Sequence, residues 1–543
     1  MKIGNHTFSE FKEMARAFHG YPAPGLLIGG YMVEAAKSRL SDATLFEAIV
    51  ETPKCLPDAV QLLTLCSTGN GWMRVVNLGR YALTLYDKYT GEGWRVFIST
   101  EKVRRYPEIA AWFLKTRTKA EQDTEKLFSE IETAGDSICG ITPVVIAPGY
   151  LKRKRQRTIG ICPICGEAYP VEGGALCRGC QGDSPYRHEA RESGNDRQLP
   201  EMNRLPVGEA VGKTALHDMT RIIPGTSKGP ELSAGDVITA GDLCRLQQMG
   251  RSHVYVVEDH SEPGEWVHEN RAAEAFARRM AGENVIFRTP PREGKIDFRA
   301  ARPGLLRIDM EKLRQFNMVP DVMCASRQNL LVVEEEKPFA GCRAIPLYLS
   351  RLNFSRALAV IGDTPLFDIL PLVPASVGIL VTGTEVFQGL IEDRFEPVIR
   401  SKVEHFGCRV AQSRIVPDDR REIEASVRAM VGGGIDLLVT TAGLSVDPDD
   451  VTRQGLIDAG MTEFLYGAPI LPGAMTLVGR IGVIRVIGVP ACALYHKVTS
   501  FDLLLPRILA GIDITRQMLV EFAEGGFCLN CRSCTFPKCP FGK

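Results

Sequence analysis

Two tight cysteine clusters carry the most explicit chemistry in the sequence. Cys162, Cys165, Cys177 and Cys180 form two CxxC pairs separated by eleven residues. Zinc takes four thiolate or imidazole ligands in a tetrahedron, and each CxxC turn sets two sulfurs at one corner of the site. The intervening residues are long enough for a small β-ribbon to bring the pairs together. A closed site of this kind holds a fold together. The second cluster, Cys528, Cys531, Cys534 and Cys539, reads CxxCxxCxxxxC followed by Pro540. That spacing comes close to the bacterial ferredoxin run, which has three residues before its last cysteine and then a proline. Zinc and an iron–sulfur cluster are both open for this tail. Of the 16 cysteines, the other eight are scattered singly. In a long chain without an export signal, tight CxxC pairs read as metal ligands in a reducing compartment rather than as disulfides.

Three glycine-containing junctions offer a second chemistry. They are VTGTEV at Val381–Val386, TTAGLSVDPDDVT at Thr440–Thr452 and VIGVPACALY at Val486–Tyr495. Thr382, Gly383, Gly443 and Ser445 combine small side chains with hydroxyls, so backbone amides there can approach a phosphate. Asp449 and Asp450 stand where a helix begins, and carboxylates complement its dipole. Such junctions acquire meaning from the elements around them. Between residues 375 and 515 the sequence alternates strands (Val377–Val381, Arg409–Val416, Asp436–Thr441, Val483–Val489) with helices (Asp393–Phe406, Arg421–Val431, Val451–Ala459). This alternation predicts a doubly wound α/β domain with a parallel sheet and helices on both faces. Ligands in such sheets lie outside the carboxyl ends of the strands, where all three junctions fall.

At 543 residues the chain exceeds one hydrophobic core, which stops growing near ~250–300 residues, so a multi-domain protein is expected. The first ~150 residues read as an α+β domain. It has helices at Ser9–Phe18 and Leu26–Leu40, strands at Arg80–Asp87 and Trp94–Ser99, and closing helices across Ala110–Ala134. A small zinc ribbon follows at 151–190, and a polar linker ends near Arg204. Mixed short α/β elements, including a strand at His253–Glu258, fill 205–370. The α/β domain occupies 371–515 and the cysteine tail 516–543. Lys+Arg and Asp+Glu both total 65, so the balance argues against a nucleic-acid partner. No signal peptide or membrane-spanning run is apparent, and a cytoplasmic protein with no membrane association is expected.

Residues 375–511 resemble the molybdopterin-binding domain shared by molybdopterin molybdotransferases and adenylyltransferases. The resemblance rests on Thr382–Glu385, Ala442–Asp450, Pro472–Gly473 and Gly488–Pro490, taken in order. It implies that Pro472, Gly473, Gly488 and Pro490 join Thr382, Gly383, Gly443, Ser445 and Asp449 in holding a molybdopterin or a molybdenum/tungsten cofactor. It further implies that Glu385 and Asp450 meet the metal or its oxyanion. Residues 205–370 look similar to the linker and dimerisation region of the molybdotransferases, which implies a homodimer. The first ~190 residues resemble the E-type subunit family associated with formylmethanofuran dehydrogenase. HGYPAPG at His19–Gly25, CLPDAVQLLTLC at Cys55–Cys66 and GRYALTLYDK at Gly79–Lys88 carry that likeness.

The departures from both families are specific. Molybdotransferases usually have two glycines at Ala442–Gly443, PGK at Pro472–Ala474 and GLPGNP at Gly488–Ala493. Loss of that lysine and asparagine favours cofactor binding over metal-insertion chemistry. The family that the N-terminal region resembles reads HGHxCPG where this chain has Tyr21 and Ala23. His19, Cys55 and Cys66 are retained, and three such ligands suit a zinc with an open fourth position. Asp58 and Gln61 are candidates to line the same pocket. The expected function is molybdopterin binding in cofactor maturation or delivery to a molybdenum or tungsten oxidoreductase. A molybdotransferase, and a metal- or redox-sensing adaptor built on the tail, are the alternatives.

Overall fold

Four strands after residue 375 lie parallel in the computed structural model, which describes residues 2–41, 43–151, 158–186, 200, 202–257, 264–441 and 451–543. Strand Ser376–Thr382 pairs with Arg409–Val416 on one side and Leu437–Thr441 on the other, and Leu437–Thr441 pairs with Ile484–Val489. Buried on both faces, Ser376–Thr382, Leu437–Thr441 and Ile484–Val489 read as near-continuous apolar runs, as interior parallel strands must, whereas the edge strand Arg409–Val416 is mostly exposed. Two antiparallel strands that the sequence pattern does not predict, Leu477–Ile481 and Met461–Tyr466, extend the edge and make the sheet mixed. Helices Phe395–Glu404 and Ser500–Leu509 pack on one face. Helices Arg420–Gly432 and Thr452–Asp458 cover the other. Asp419 caps Arg420–Gly432 by accepting N–H bonds from Arg421 and Glu422, which fixes where that helix starts.

The chain divides into two compact units, Met1–Gln156 and Arg157–Lys543. In the first, a five-stranded sheet has the order 73–75, 46–50, 82–87, 92–98, 139–145. Helix Pro24–Lys37 is apolar nearly all round and lies buried, the expected fate of a helix without a polar face. Helix Phe8–His19 starts in a reciprocal capping box between Thr7 and Glu10. It stops at Gly20, whose φ of 86° closes the last turn. Pro107–Leu114 and Thr124–Ala134 are separate helices within the stretch read from sequence as helical.

In the second unit, the 264–370 stretch forms a four-stranded antiparallel sheet in the order 285–287, 295–300, 338–344, 322–326. Helices Glu269–Met280, Met310–Asn317 and Arg351–Ile361 pack with it around Phe276, Phe298 and Phe316. A smaller element set at 204–256 contains the short strand His253–Tyr255. Among the described residues, no helix is long and apolar enough to cross a membrane.

Candidate functional site: a zinc knuckle and a strand-end rim

The first cysteine cluster closes as its spacing requires. Strands Ile159–Ile161 and Ala168–Pro170 form an antiparallel ribbon with the Cys162–Cys165 knuckle in its turn. The ribbon therefore flanks the first pair, instead of bridging the two pairs. All four sulfurs lie within 4.8 Å of one another. Zinc–sulfur bonds of about 2.3 Å set tetrahedral sulfurs about 3.8 Å apart, and the Cys165 and Cys177 sulfurs are separated by 3.7 Å. Burial pushes the Cys162 thiol up, but N–H groups of Cys165, Cys177 and Ile164 outweigh it and bring the group down to about 6. The knuckle is seated by Arg356, which donates to the carbonyls of Pro163 and Ile164, and by Leu176, wholly buried in the core of 264–370.

The tail cysteines behave differently. Cys528, Cys531, Cys534 and Cys539 all line one cavity of about 200 Å³, yet no three of their sulfurs come within 4.8 Å of one another.

At the α/β sheet, the carboxyl ends of the parallel strands meet along one rim. Val381 pairs with Thr441, and Thr441 with Val489. Gly488 sits beside Thr440 in the same register and accepts a 2.9 Å bond from the Thr476 hydroxyl. Strand Leu477–Ile481 runs antiparallel to Ile484–Val489, so the Pro472–Gly473 turn before it reaches this rim as well. Pro472 accepts the Ser500 N–H at 3.2 Å. Gly473 has φ 120°, and a β-carbon there would collide with Ser500, so glycine is required twice over. Pro490 is buried where the chain turns into the short helix Ala491–Leu494.

The rim corrects two assignments. The Thr382 hydroxyl is buried and spent: it donates to the Thr441 carbonyl at 3.0 Å and pairs with the Thr452 hydroxyl at 2.9 Å. The Gly383 N–H is taken by the Val416 carbonyl. The Thr384 N–H is taken at 2.8 Å by Asp418, a residue that the sequence motifs do not single out. This first turn therefore offers no free amide at Gly383 or Thr384 for a phosphate; Thr382 and Gly383 hold the rim together. Glu385 is exposed, with Oε1 3.5 Å from where a β-carbon on Gly383 would stand. Gly443, Ser445, Asp449 and Asp450 lie outside the described residues. Of the described residues near either end of that stretch, Thr441 and Thr452 are both joined to Thr382.

Three hydroxyls also missed from sequence remain. Thr440, Thr441 and Ser500 each bury a hydroxyl oxygen that has no hydrogen-bond partner among the described residues. An unpaired buried polar group costs about 1–3 kcal/mol; Thr441 lies on the face of the sheet that helix Ser500–Leu509 covers, whereas Thr440, its neighbour in the strand, lies with Leu438 on the other. The Thr441 and Ser500 hydroxyls, with the glycine at 473, suit the polar edge of a molybdopterin-type molecule.

In the N-terminal unit, His19 Nδ1 lies 2.6 Å from Asp58 Oδ2. Cys55 precedes the helix bearing Asp58 and holds φ 52°, a strained value for a residue with a side chain. A β-carbon on Gly25 would meet the Tyr81 hydroxyl at 2.7 Å and Cys55 Cβ at 3.1 Å, so glycine lets these two approach. The Tyr81 hydroxyl is buried and unpartnered, and burial, Cys55 and Asp58 together push its ionisation well up. Burial, then Asp58, likewise raises the Cys55 thiol. Cys66 belongs elsewhere. Its sulfur faces the Phe46 carbonyl at 3.6 Å, and His19, Cys55 and Cys66 do not gather as a three-ligand set. Gln61 accepts from the Thr68 hydroxyl at 3.2 Å.

Residues 18–146 match the family described as FmdE, molybdenum formylmethanofuran dehydrogenase operon, and 153–187 match the FmdE treble clef zinc finger. Residues 378–510 match the probable molybdopterin binding domain, and 204–258 match a domain of unknown function. A tungsten formylmethanofuran dehydrogenase FmdE-like protein from Syntrophus aciditrophicus is 50% identical over 34% of this chain and 96% of its own, with a TM-score of 0.31. A CinA-like protein from Mycobacterium leprae is 40% identical over 83 residues, 15% of this chain and 19% of its own length. The chain thus spans about a fifth of the length of the curated relatives it first matches. The molybdopterin biosynthesis enzyme MoaB from Thermus thermophilus is 21% identical over 25% of this chain and 97% of its own, with a TM-score of 0.23. Homology thus supports a molybdopterin-related binding or biosynthetic role, and the four-cysteine finger supports zinc. The chain belongs through its first third to the FmdE-like family with its treble clef zinc finger, and carries a molybdopterin-binding domain behind it.

Proposed function

We propose that the protein binds a molybdopterin-type cofactor at the strand-end rim of residues 376–500 and serves its maturation or its delivery to a molybdenum or tungsten oxidoreductase. The observation that supports this reading is the pair of buried hydroxyls on Thr441 and Ser500, unpartnered among the described residues and on one face of the sheet, inside the segment that matches a molybdopterin-binding domain. In this reading Gly473, Gly488 and Pro490 shape the wall, the Thr441 and Ser500 hydroxyls bind and orient polar edges of the pterin, and Glu385 stands at the open end. The pterin supplies the dithiolene that carries the metal. Without the lysine and asparagine usual in molybdotransferases, binding is favoured over metal insertion. Residues 371–515 act as the binding domain, 205–370 as the linker and dimerisation region, and 1–150 as a domain whose His19–Asp58–Cys55 pocket holds a metal. The chain purified under anaerobic conditions is expected to release a fluorescent oxidised pterin at a defined ratio per chain. Absence of pterin, together with failure to take it up from a molybdopterin-loaded donor, refutes the proposal. Rescue of a strain lacking molybdotransferase would move the assignment to that enzyme.

A further inference from the structure

The tail cavity differs from the zinc knuckle in a way that bears on what fills it. A single zinc draws its four sulfurs into van der Waals contact, as at Cys162, Cys165, Cys177 and Cys180. The tail presents four cysteines around one cavity of about 200 Å³ with no three sulfurs gathered. A multinuclear cluster sets its thiolates farther apart than a single zinc does, because each binds a different metal and the cluster's own sulfides fill the centre. Lys497 and Arg532 line the same cavity and complement the negative charge of a four-thiolate cluster. The tail is also not a loose appendage. Cys528 N–H bonds to the Leu471 carbonyl and Leu471 N–H to the Gly526 carbonyl, both at 2.7 Å. Phe541 is buried in the core of the α/β domain, with Cys528 and Cys539 packed against that core. Two neighbouring segments thereby touch the cavity or its ligands. Leu471 precedes the Pro472–Gly473 turn, and 495–498, which lines the cavity, follows the turn at Pro490.

We propose that the tail holds a four-iron, four-sulfur cluster, with Cys528, Cys531, Cys534 and Cys539 each ligating one iron, and that its loading stiffens segments 471–473 and 495–498. Each thiol gives up its proton on ligation. The proposal does not depend on what the rim binds. The full-length chain, reconstituted anaerobically with an iron salt, sulfide and a thiol reductant, is expected to gain about four irons and about four acid-labile sulfides per chain. It is expected to show broad visible absorption that bleaches on reduction. Hydrogen exchange in 471–473 and 495–498 is expected to slow on loading. Cys531→Ser and Cys534→Ser, both at exposed positions, are expected to lose the iron and sulfide while keeping one zinc per chain at the knuckle. A colourless product without labile sulfide overturns the proposal, as does a cluster retained at full stoichiometry in both variants. Unchanged exchange in both segments overturns the stiffening. Should either variant misfold, the iron, sulfide and zinc content of the unmodified chain decides alone.

Discussion

Thr382 and Thr452, seventy residues apart in sequence, place their hydroxyl oxygens 2.9 Å from each other. The pair ties the end of the first parallel strand to the start of helix Thr452–Asp458, and Thr382 also binds the Thr441 carbonyl. The rim is thus closed by its own side chains, and a ligand must be met by other groups. Thr382→Val is expected to destabilise the chain by about 1–3 kcal/mol, because it strands the Thr452 hydroxyl and the Thr441 carbonyl in the interior. Thr441→Val, which removes a hydroxyl without a partner, is expected to leave stability unchanged or slightly raised. Urea unfolding of the two variants checks the contrast.

At the zinc knuckle, Cys177→Ser is expected to release the metal and free the ribbon from its seat. Arg356→Ala is expected to keep the zinc but expose 159–176 to protease, because the carbonyls of Pro163 and Ile164 lose their donor. Zinc content and limited proteolysis separate the two effects.

The N-terminal pocket makes a sharper claim. A histidine that gives Nδ1 to a carboxylate presents Nε2 to a metal, and loss of such a carboxylate typically costs 10–100-fold in affinity. Asp58→Asn is therefore expected to weaken metal binding at His19 and Cys55 by about that factor. Cys66→Ala is expected to leave it unchanged, since the Cys66 thiol serves the Phe46 carbonyl. Competition with a chromophoric chelator measures both. Equal losses in the two variants would return Cys66 to the ligand set.

Much of this architecture was legible in the residues. Apolar runs ending at Thr382, Thr441 and Val489 predicted parallel strands because burial on both faces leaves no polar positions. Cysteine spacing alone marked the knuckle. What escaped was tertiary. The Met461–Tyr466 and Leu477–Ile481 pair was missed because Gly467, Pro472 and Gly473 break the intervening pattern. Asp418 and Tyr81 carry no local signature, and their roles arise only when distant segments meet. Cys66 was grouped with His19 because spacing along a chain does not say which side of a sheet a thiol faces.

Glu269 supplies a pH dependence. It is buried 3.4 Å from Arg343. Burial raises its carboxyl to about 7, Arg343 opposes that rise, and Asp218 and Glu293 add to it. The folded value thus lies above the unfolded one, near 4.5. Between these values the folded chain keeps the proton that the unfolded chain has lost, so stability declines as pH rises from about 4.5 to about 7. Glu269→Gln is expected to flatten that slope and to gain about 1–2 kcal/mol at pH 8, allowing for partial solvent screening. Denaturant midpoints across pH 4.5–8 test it, and an unchanged slope contradicts it.

The most direct test of the cofactor site is a molybdopterin titration of the wild-type chain beside Thr440→Val, Thr441→Val and Ser500→Ala, each checked for native unfolding. If the Thr441 and Ser500 hydroxyls meet the pterin, those two variants bind it about tenfold more weakly at wild-type stability while Thr440→Val, on the other face of the sheet, does not, one hydrogen bond to a polar ligand being worth roughly 1.5 kcal/mol. Wild-type affinity in all three variants would contradict the assignment of the rim as the binding site.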